Sequence, residues 1–116
     1  MSMSPSVPAV PAAVPAADLA DDTVMVDVRE QDEWDAGHAP QALHIPMGDL
    51  PTRVGELPES DEPLAIVCRS GNRSGRVVAW LSQNGVDSVN VAGGMQAWGA
   101  AGKPMVSESS PTPRVI

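Results

Sequence analysis

Val67-Cys68-Arg69-Ser70-Gly71-Asn72-Arg73-Ser74-Gly75 places the only cysteine of this 116-residue chain between two patterned runs. Before it lies Leu64-Ala65-Ile66-Val67, short and wholly apolar, which reads as a buried strand; after it comes Val77-Val78-Ala79-Trp80-Leu81, which reads as helix. Cys68 therefore stands where a strand ends and a helix is about to begin. A loop of small residues there curls so that backbone N–H groups converge on one point, and the helix N-terminus adds its free donors and positive dipole end. Such a cradle stabilises an anion, with the Cys68 sulfur at its floor as thiolate. A free thiol titrates near pH 8.5, so only about 3% is ionised at neutral pH, and a helix N-terminus with nearby Arg lowers that pKa. Cys68 is read as a nucleophile. The bland alternative is an inert buried thiol, since free cysteine is among the most buried residue types. Arg69, Ser70, Asn72 and Arg73 argue against it, because they do not build an apolar niche.

Around that loop the composition narrows the field. The length suits one domain with one modest core. Three Trp and no Tyr or Phe leave the core to aliphatic side chains and Met. A net charge of −8 disfavours nucleic acid and anionic membrane as partners, since phosphate binding needs clustered Lys and Arg. Against that background Arg69, Arg73 and Arg76 mark a local anion site. A single cysteine excludes an internal disulfide, a CxxC pair and a cysteine-based zinc cage, and His38 and His44 do not suffice for a metal site, so no metal or cofactor is expected. No run reaches the roughly 18–20 apolar residues of a membrane span, and the Pro-interrupted N-terminus lacks the basic region of a secretory signal. The expectation is a cytoplasmic protein, and one Lys beside abundant Ala, Val, Gly, Pro and Asp suits a GC-rich bacterial genome.

Taken in order, residues 1–13 read as a Pro-spaced tail, with a possible edge strand around Ala9-Val10. A short helix is expected over 15–20 with Pro15 in its first turn, and a buried strand over 23–28. That strand ends in Asp27, Arg29 and Glu30, charged groups at a carboxyl end. A helix over 31–36 is stopped by Gly37, a turn covers 38–41, and a short strand covers 42–45. A helix is expected over 48–57 and an acidic loop over 58–63. The helix after Cys68 runs to about Asn84, capped by Gly85; a strand covers 88–91 and a last helix carries Met95, Ala97 and Trp98. Residues 107–116 show no pattern and are expected as a flexible C-terminal tail. Strands alternating with helices imply an α/β domain over 14–106, with a mainly parallel sheet flanked by helices on both faces.

Asp27-Val28-Arg29-Glu30, Gly37-His38, the 42–46 run, Cys68 through Ser74, and Gly93-Gly94-Met95-Gln96-Ala97-Trp98 together resemble the rhodanese (thiosulfate sulfurtransferase) domain, in that family's order and spacing. The resemblance implies a five-stranded sheet, a single-domain rhodanese-like chain and persulfide chemistry at Cys68. It departs where Gln41 stands for a frequent Gly, Ala39 for Ile and His44 for Asn, none of them a catalytic group. His38 and His44 are given structural roles, because a thiolate needs no base. Trp34, Trp80 and Trp98 are given packing roles, and the sequon Asn72-Arg73-Ser74 is set aside as lying in the active-site loop of a cytoplasmic protein.

The chemistry expected of this constellation is transfer of sulfane sulfur. Arg69 and Arg73 draw in an anionic donor such as thiosulfate; Cys68 attacks its outer sulfur, and sulfite leaves. The amides of residues 69 to 73, Ser70, Gly71 and Asn72 among them, then hold the persulfide as an oxyanion hole would. Gly71 supplies freedom for the curl, and Ser70 or Ser74 adds a hydrogen bond. Asp27, Arg29 and Glu30 are given a structural or orienting role and no chemistry, with a rim charge network as the alternative. Cyanide, a thiol, or a sulfur-acceptor protein removes the sulfur. Two other readings compete: a binding or regulatory module that keeps the fold without turnover, and a Cys-x5-Arg phosphatase or arsenate reductase. The latter needs Arg where this chain has Ser74, with Arg73 one position early.

Overall fold

A computed structural model describes residues 12–116. Five strands form one sheet in the order β1-β5-β4-β2-β3: β1 Ala13–Pro15, β2 Met25–Asp27, β3 Leu43–His44, β4 Leu64–Val67 and β5 Ser88–Ala92. Every neighbouring pair is parallel. The most continuously apolar run, Leu64-Ala65-Ile66-Val67, takes the centre, and all four of its residues are buried. A central parallel strand is covered on both faces, so it has no solvent side to make polar. Four α-helices accompany the sheet: α1 Gln31–Ala36, α2 Leu50–Arg53, α3 Asn72–Gln83 and α4 Gly94–Ala100.

The core divides into two apolar layers. In one, Val77, Val78 and Leu81 of α3 and Leu50 of α2 pack on Val26, Leu64 and Ile66. In the other, Met95 and Trp98 of α4 pack with Ala16 on Met25, Ala65, Val67 and Val91. Alternate residues of β2 and β4 thus feed opposite layers, as the two-residue strand period requires. Trp98 is fully buried and satisfies its indole N–H on the carbonyl of Pro104 at 2.9 Å.

Chain direction across the sheet reverses between β2 and β4: β2 leads outward to β3, β4 to β5 and β1's side. Open parallel sheets place their ligands at the carboxyl ends beside such a reversal. Cys68 is the first residue past β4 there.

The structure differs from expectation at several places. The proposed strand at Ala9-Val10 lies outside the described residues, and the edge strand is Ala13–Pro15, with Ala12 also bonded to Asn90. The sheet edge therefore includes residues assigned to the tail. The 15–20 helix is a 3-10 turn, Ala16–Asp18, and 48–57 is the short α2 between 3-10 turns Met47–Asp49 and Val54–Glu56. Residues 107–116 are not a free tail. The amides of Glu108 and Ser109 bond to the carbonyl of Asp35, and that of Arg114 to the carbonyl of Ala36. These are last-turn carbonyls of α1, which need external donors because no further turn follows. Polar tail residues satisfied that need without any apolar period to reveal it.

Candidate active site

Three outward-facing carbonyls shape the loop after β4. The amides of Met95 and Gln96 bond to the carbonyls of Cys68 and Arg69 at 2.8 and 3.0 Å, and the Asn90 side-chain amide bonds to that of Gly71 at 3.0 Å. With its carbonyls held outward by β5 and α4, the loop turns amides inward. Gly71 adopts φ 109°, a left-handed conformation open to glycine, and directs its N–H to the Cys68 sulfur at 3.0 Å. Gly94 (φ 58°) lets α4 approach: a Cβ there would strike the backbone carbonyl oxygens of Cys68 and Arg69.

α3 begins earlier than its apolar pattern suggested, at Asn72, so Arg73 and Ser74 lie in its first turn. Ser74, fully buried, brings its Oγ to 3.1 Å from the sulfur and 2.6 Å from Asn90 Oδ1. Cys68 is 1% exposed, as the inert reading would have it, yet it is surrounded by donors. Burial pushes its pKa up. The Ser74 hydroxyl and the amides of Ser74, Gly71 and Ser70 outweigh that, and the thiol is held below its ordinary value. The amides that lower the pKa of the sulfur are those of Ser74, Gly71 and Ser70.

The arginines part company. Arg69 and Arg76 are exposed. Arg73 forms a two-pronged pair with Glu33 of α1, Nη1 to Oε1 at 2.7 Å and Nη2 to Oε2 at 2.8 Å. The hydrogen bonds to Arg73 hold the Glu33 carboxyl below its usual range, and Glu33 raises the Arg73 pKa still further. Glu33 was not singled out from the sequence; only its i+3 spacing from Glu30 hinted at a role, as the capping box that starts α1. Asn90 was also missed, because it reads as one polar position in a strand.

Asp27 and Arg29 do not form a rim. Both are fully buried, paired through Arg29 Nη2 and Asp27 Oδ2 at 2.8 Å, and Arg29 Nη2 also bonds to the carbonyl of Gly37 at 2.7 Å. The pair ties the end of β2 to the end of α1. Glu30 is exposed and is the N-cap of α1. Trp34 stacks between His38 and His44, with ring centroids 3.5 and 4.7 Å away; His38 Nδ1 meets the carbonyl of Ala39 at 2.9 Å, and His44 Nε2 that of Arg29 at 2.7 Å. These rings serve the scaffold below the loop.

Among the described residues there is no cluster of three or more His, Cys, Asp or Glu suited to a metal, and no helix long and apolar enough to cross a membrane. The arrangement is a buried thiol ringed by hydrogen-bond donors, with exposed Arg69 in its loop and Arg73, tethered to Glu33, in the first turn of α3.

Known proteins resemble this chain in sequence and fold. The chain is 45% identical over 80 residues to the putative sulfurtransferase YtwF of Bacillus subtilis, covering 69% of this chain and 77% of that one. It is 41% identical over 88 residues to a sulfurtransferase of Allochromatium vinosum, covering 75% and 81%. The crystal structure of a rhodanese-related protein from Thermoplasma volcanium superposes with a TM-score of 0.73 at 36% identity, covering 82% of this chain and 97% of that one. With the rhodanese-like domain model matching residues 13–101, this single-domain chain belongs to the rhodanese-like sulfurtransferase family.

Proposed function

We propose that the protein transfers sulfane sulfur from thiosulfate, or a related anionic donor, to cyanide or a thiol through a persulfide on Cys68. The observation that carries this reading is the sulfur of Cys68 held by the Gly71 amide and the Ser74 hydroxyl, with its pKa lowered. The thiolate attacks the outer sulfur of thiosulfate; the S–S bond breaks with its electron pair going to sulfite, and a Cys68 persulfide anion remains. The loop donors that stabilise the thiolate then serve the new terminal sulfur. Cyanide or a thiolate attacks that sulfur, leaves as thiocyanate or a new persulfide, and returns Cys68 as thiolate. No proton need be exchanged in either half, consistent with His38 and His44 lying in the scaffold. An acceptor protein presenting a thiol fits the same second half-reaction.

The phosphatase reading loses support from Arg73, whose guanidinium is bound to Glu33 instead of arching over an oxyanion. A colorimetric thiocyanate assay and intact mass decide the proposal. Thiosulfate should add one sulfur, about 32 Da, to the wild type but not to Cys68→Ser, and a reducing thiol should remove it. A wild type that never gains sulfur from any sulfane donor would leave the binding-module reading standing.

A further inference from the structure

The Ser74 hydroxyl carries one hydrogen and sits within bonding distance of two acceptors, Cys68 Sγ at 3.1 Å and Asn90 Oδ1 at 2.6 Å. The Asn90 amide cannot be turned round, because its Nδ2 must face the carbonyl of Gly71 at 3.0 Å. Oδ1 therefore faces Ser74. Asn90 also touches two residues that donate to the sulfur: Gly71, whose N–H reaches it at 3.0 Å, and Ser74. We infer that Asn90 is a positioning residue for Cys68, holding Gly71 and Ser74 against the sulfur and receiving the Ser74 hydroxyl proton whenever Cys68 is a thiol.

The proton inventory follows from this arrangement. With Cys68 protonated, S–H donates to Ser74 Oγ, and Ser74 O–H donates to Asn90 Oδ1; every group has a partner. When the S–H proton leaves to solvent, Ser74 Oγ has lost its donor and the sulfur has gained charge. The hydroxyl hydrogen then swings from Oδ1 to the thiolate, the stronger acceptor. Ionising Cys68 is thus accompanied by the rotation of one hydroxyl between two fixed acceptors, with Asn90 fixing one of them. Arg73 of α3, itself paired with Glu33 of α1, lies within electrostatic reach of Cys68.

This role builds on the proposed use of Cys68 as a thiolate, but its test needs no sulfur transfer. Asn90→Asp puts a carboxylate in place of the amide. It grips the Ser74 proton harder, adds a like charge two hydrogen bonds from the thiolate, and gives up the donor to Gly71. All three disfavour the thiolate, so alkylation of Cys68 at neutral pH should slow about tenfold, with its pH midpoint rising by about one unit. In a Ser74→Ala background the route through the hydroxyl is gone, and the same change should slow alkylation less than about threefold. In the wild type, the Asn90 side-chain amide resonances should titrate with the alkylation midpoint, and should lose that titration in Ser74→Ala. A folded Asn90→Asp with the wild-type alkylation profile would overturn the proposal. So would Asn90 resonances that stay flat through the Cys68 titration, a measurement that stands even if Asn90→Asp does not fold. Failure of thiosulfate to load the wild type would sink the sulfur-transfer reading while leaving this coupling measurable.

Discussion

Arg69 and Arg73 look equivalent in sequence as two basic residues close after Cys68, and the structure separates them. Arg73 is committed to Glu33 through two short bonds, whereas Arg69 is exposed and, among the described residues, forms no ion pair. On the proposed sulfur-transfer reading, an anionic donor meets Arg69 first. Arg69→Ala should raise KM for thiosulfate roughly three- to tenfold with a smaller fall in kcat, the pattern for a contact that captures substrate without bonding selectively to the transition state. Arg69→Lys should recover most of that loss, since charge more than shape is asked of it. Steady-state kinetics at low ionic strength is the measurement, because screening by salt blunts an exposed charge. Unchanged KM in Arg69→Ala would assign donor capture elsewhere.

Glu33 on α1 and Arg73 on α3 join two elements across the face of the site, and this pair has a pH dependence with a definite sign. The Glu33 pKa is depressed in the fold, mainly by its hydrogen bonds to Arg73. Its contribution to stability is therefore present above the ordinary glutamate range and is lost as pH falls through the lowered value. Glu33→Gln removes the carboxylate and releases Arg73 toward the loop. KM for a dianionic donor should drop severalfold, a gain of function, while thermal stability at neutral pH falls and its acid dependence flattens. An unaltered KM would mean that Arg73 serves only to hold α1 against α3. A close approach between elements also explains why Gly94 opens α4: the helix must come near enough to bond to the carbonyls of Cys68 and Arg69, and a Cβ at Gly94 has no room.

Across the whole molecule, the C-terminal residues act as part of the domain. Val106 pairs with His38 through two backbone bonds of 2.9 Å, Val115 packs on the layer that holds Trp98, and Arg114 and Glu108 close the end of α1. Gly37 has room for no side chain there, because a Cβ would lie 2.5 Å from the Arg114 carbonyl oxygen. Removing residues 107–116 strips donors from Asp35 and Ala36 and uncovers apolar surface. A loss of about 1–2 kcal/mol lowers Tm by roughly 5–15 °C in a domain of this size. Calorimetry of the truncated chain checks this, and an unmoved Tm would show the segment to be idle. The buried Asp27–Arg29 pair belongs to the same scaffold, joining β2 to the turn at Gly37.

Local pattern was enough to read β4, α1 and the cysteine loop. Leu64-Ala65-Ile66-Val67 is apolar at every position, as a strand covered on both faces must be, and Gly71 marks a left-handed backbone conformation that larger residues resist. A lone Cys68 between strand and helix, among small and basic residues, was enough to suggest a nucleophile. The partners of Ser74 and Arg73 were not legible, because Asn90 and Glu33 lie 16 and 40 residues away and a side-chain bond leaves no period in the sequence. Nor was the burial of Asp27 and Arg29: a supporting role was legible, but charges at a strand end carry no sign of depth until the packing of α1 and Gly37 encloses them. Periodicity reports what a residue does for its own element, whereas hydrogen-bond partners across elements are set by how those elements come together.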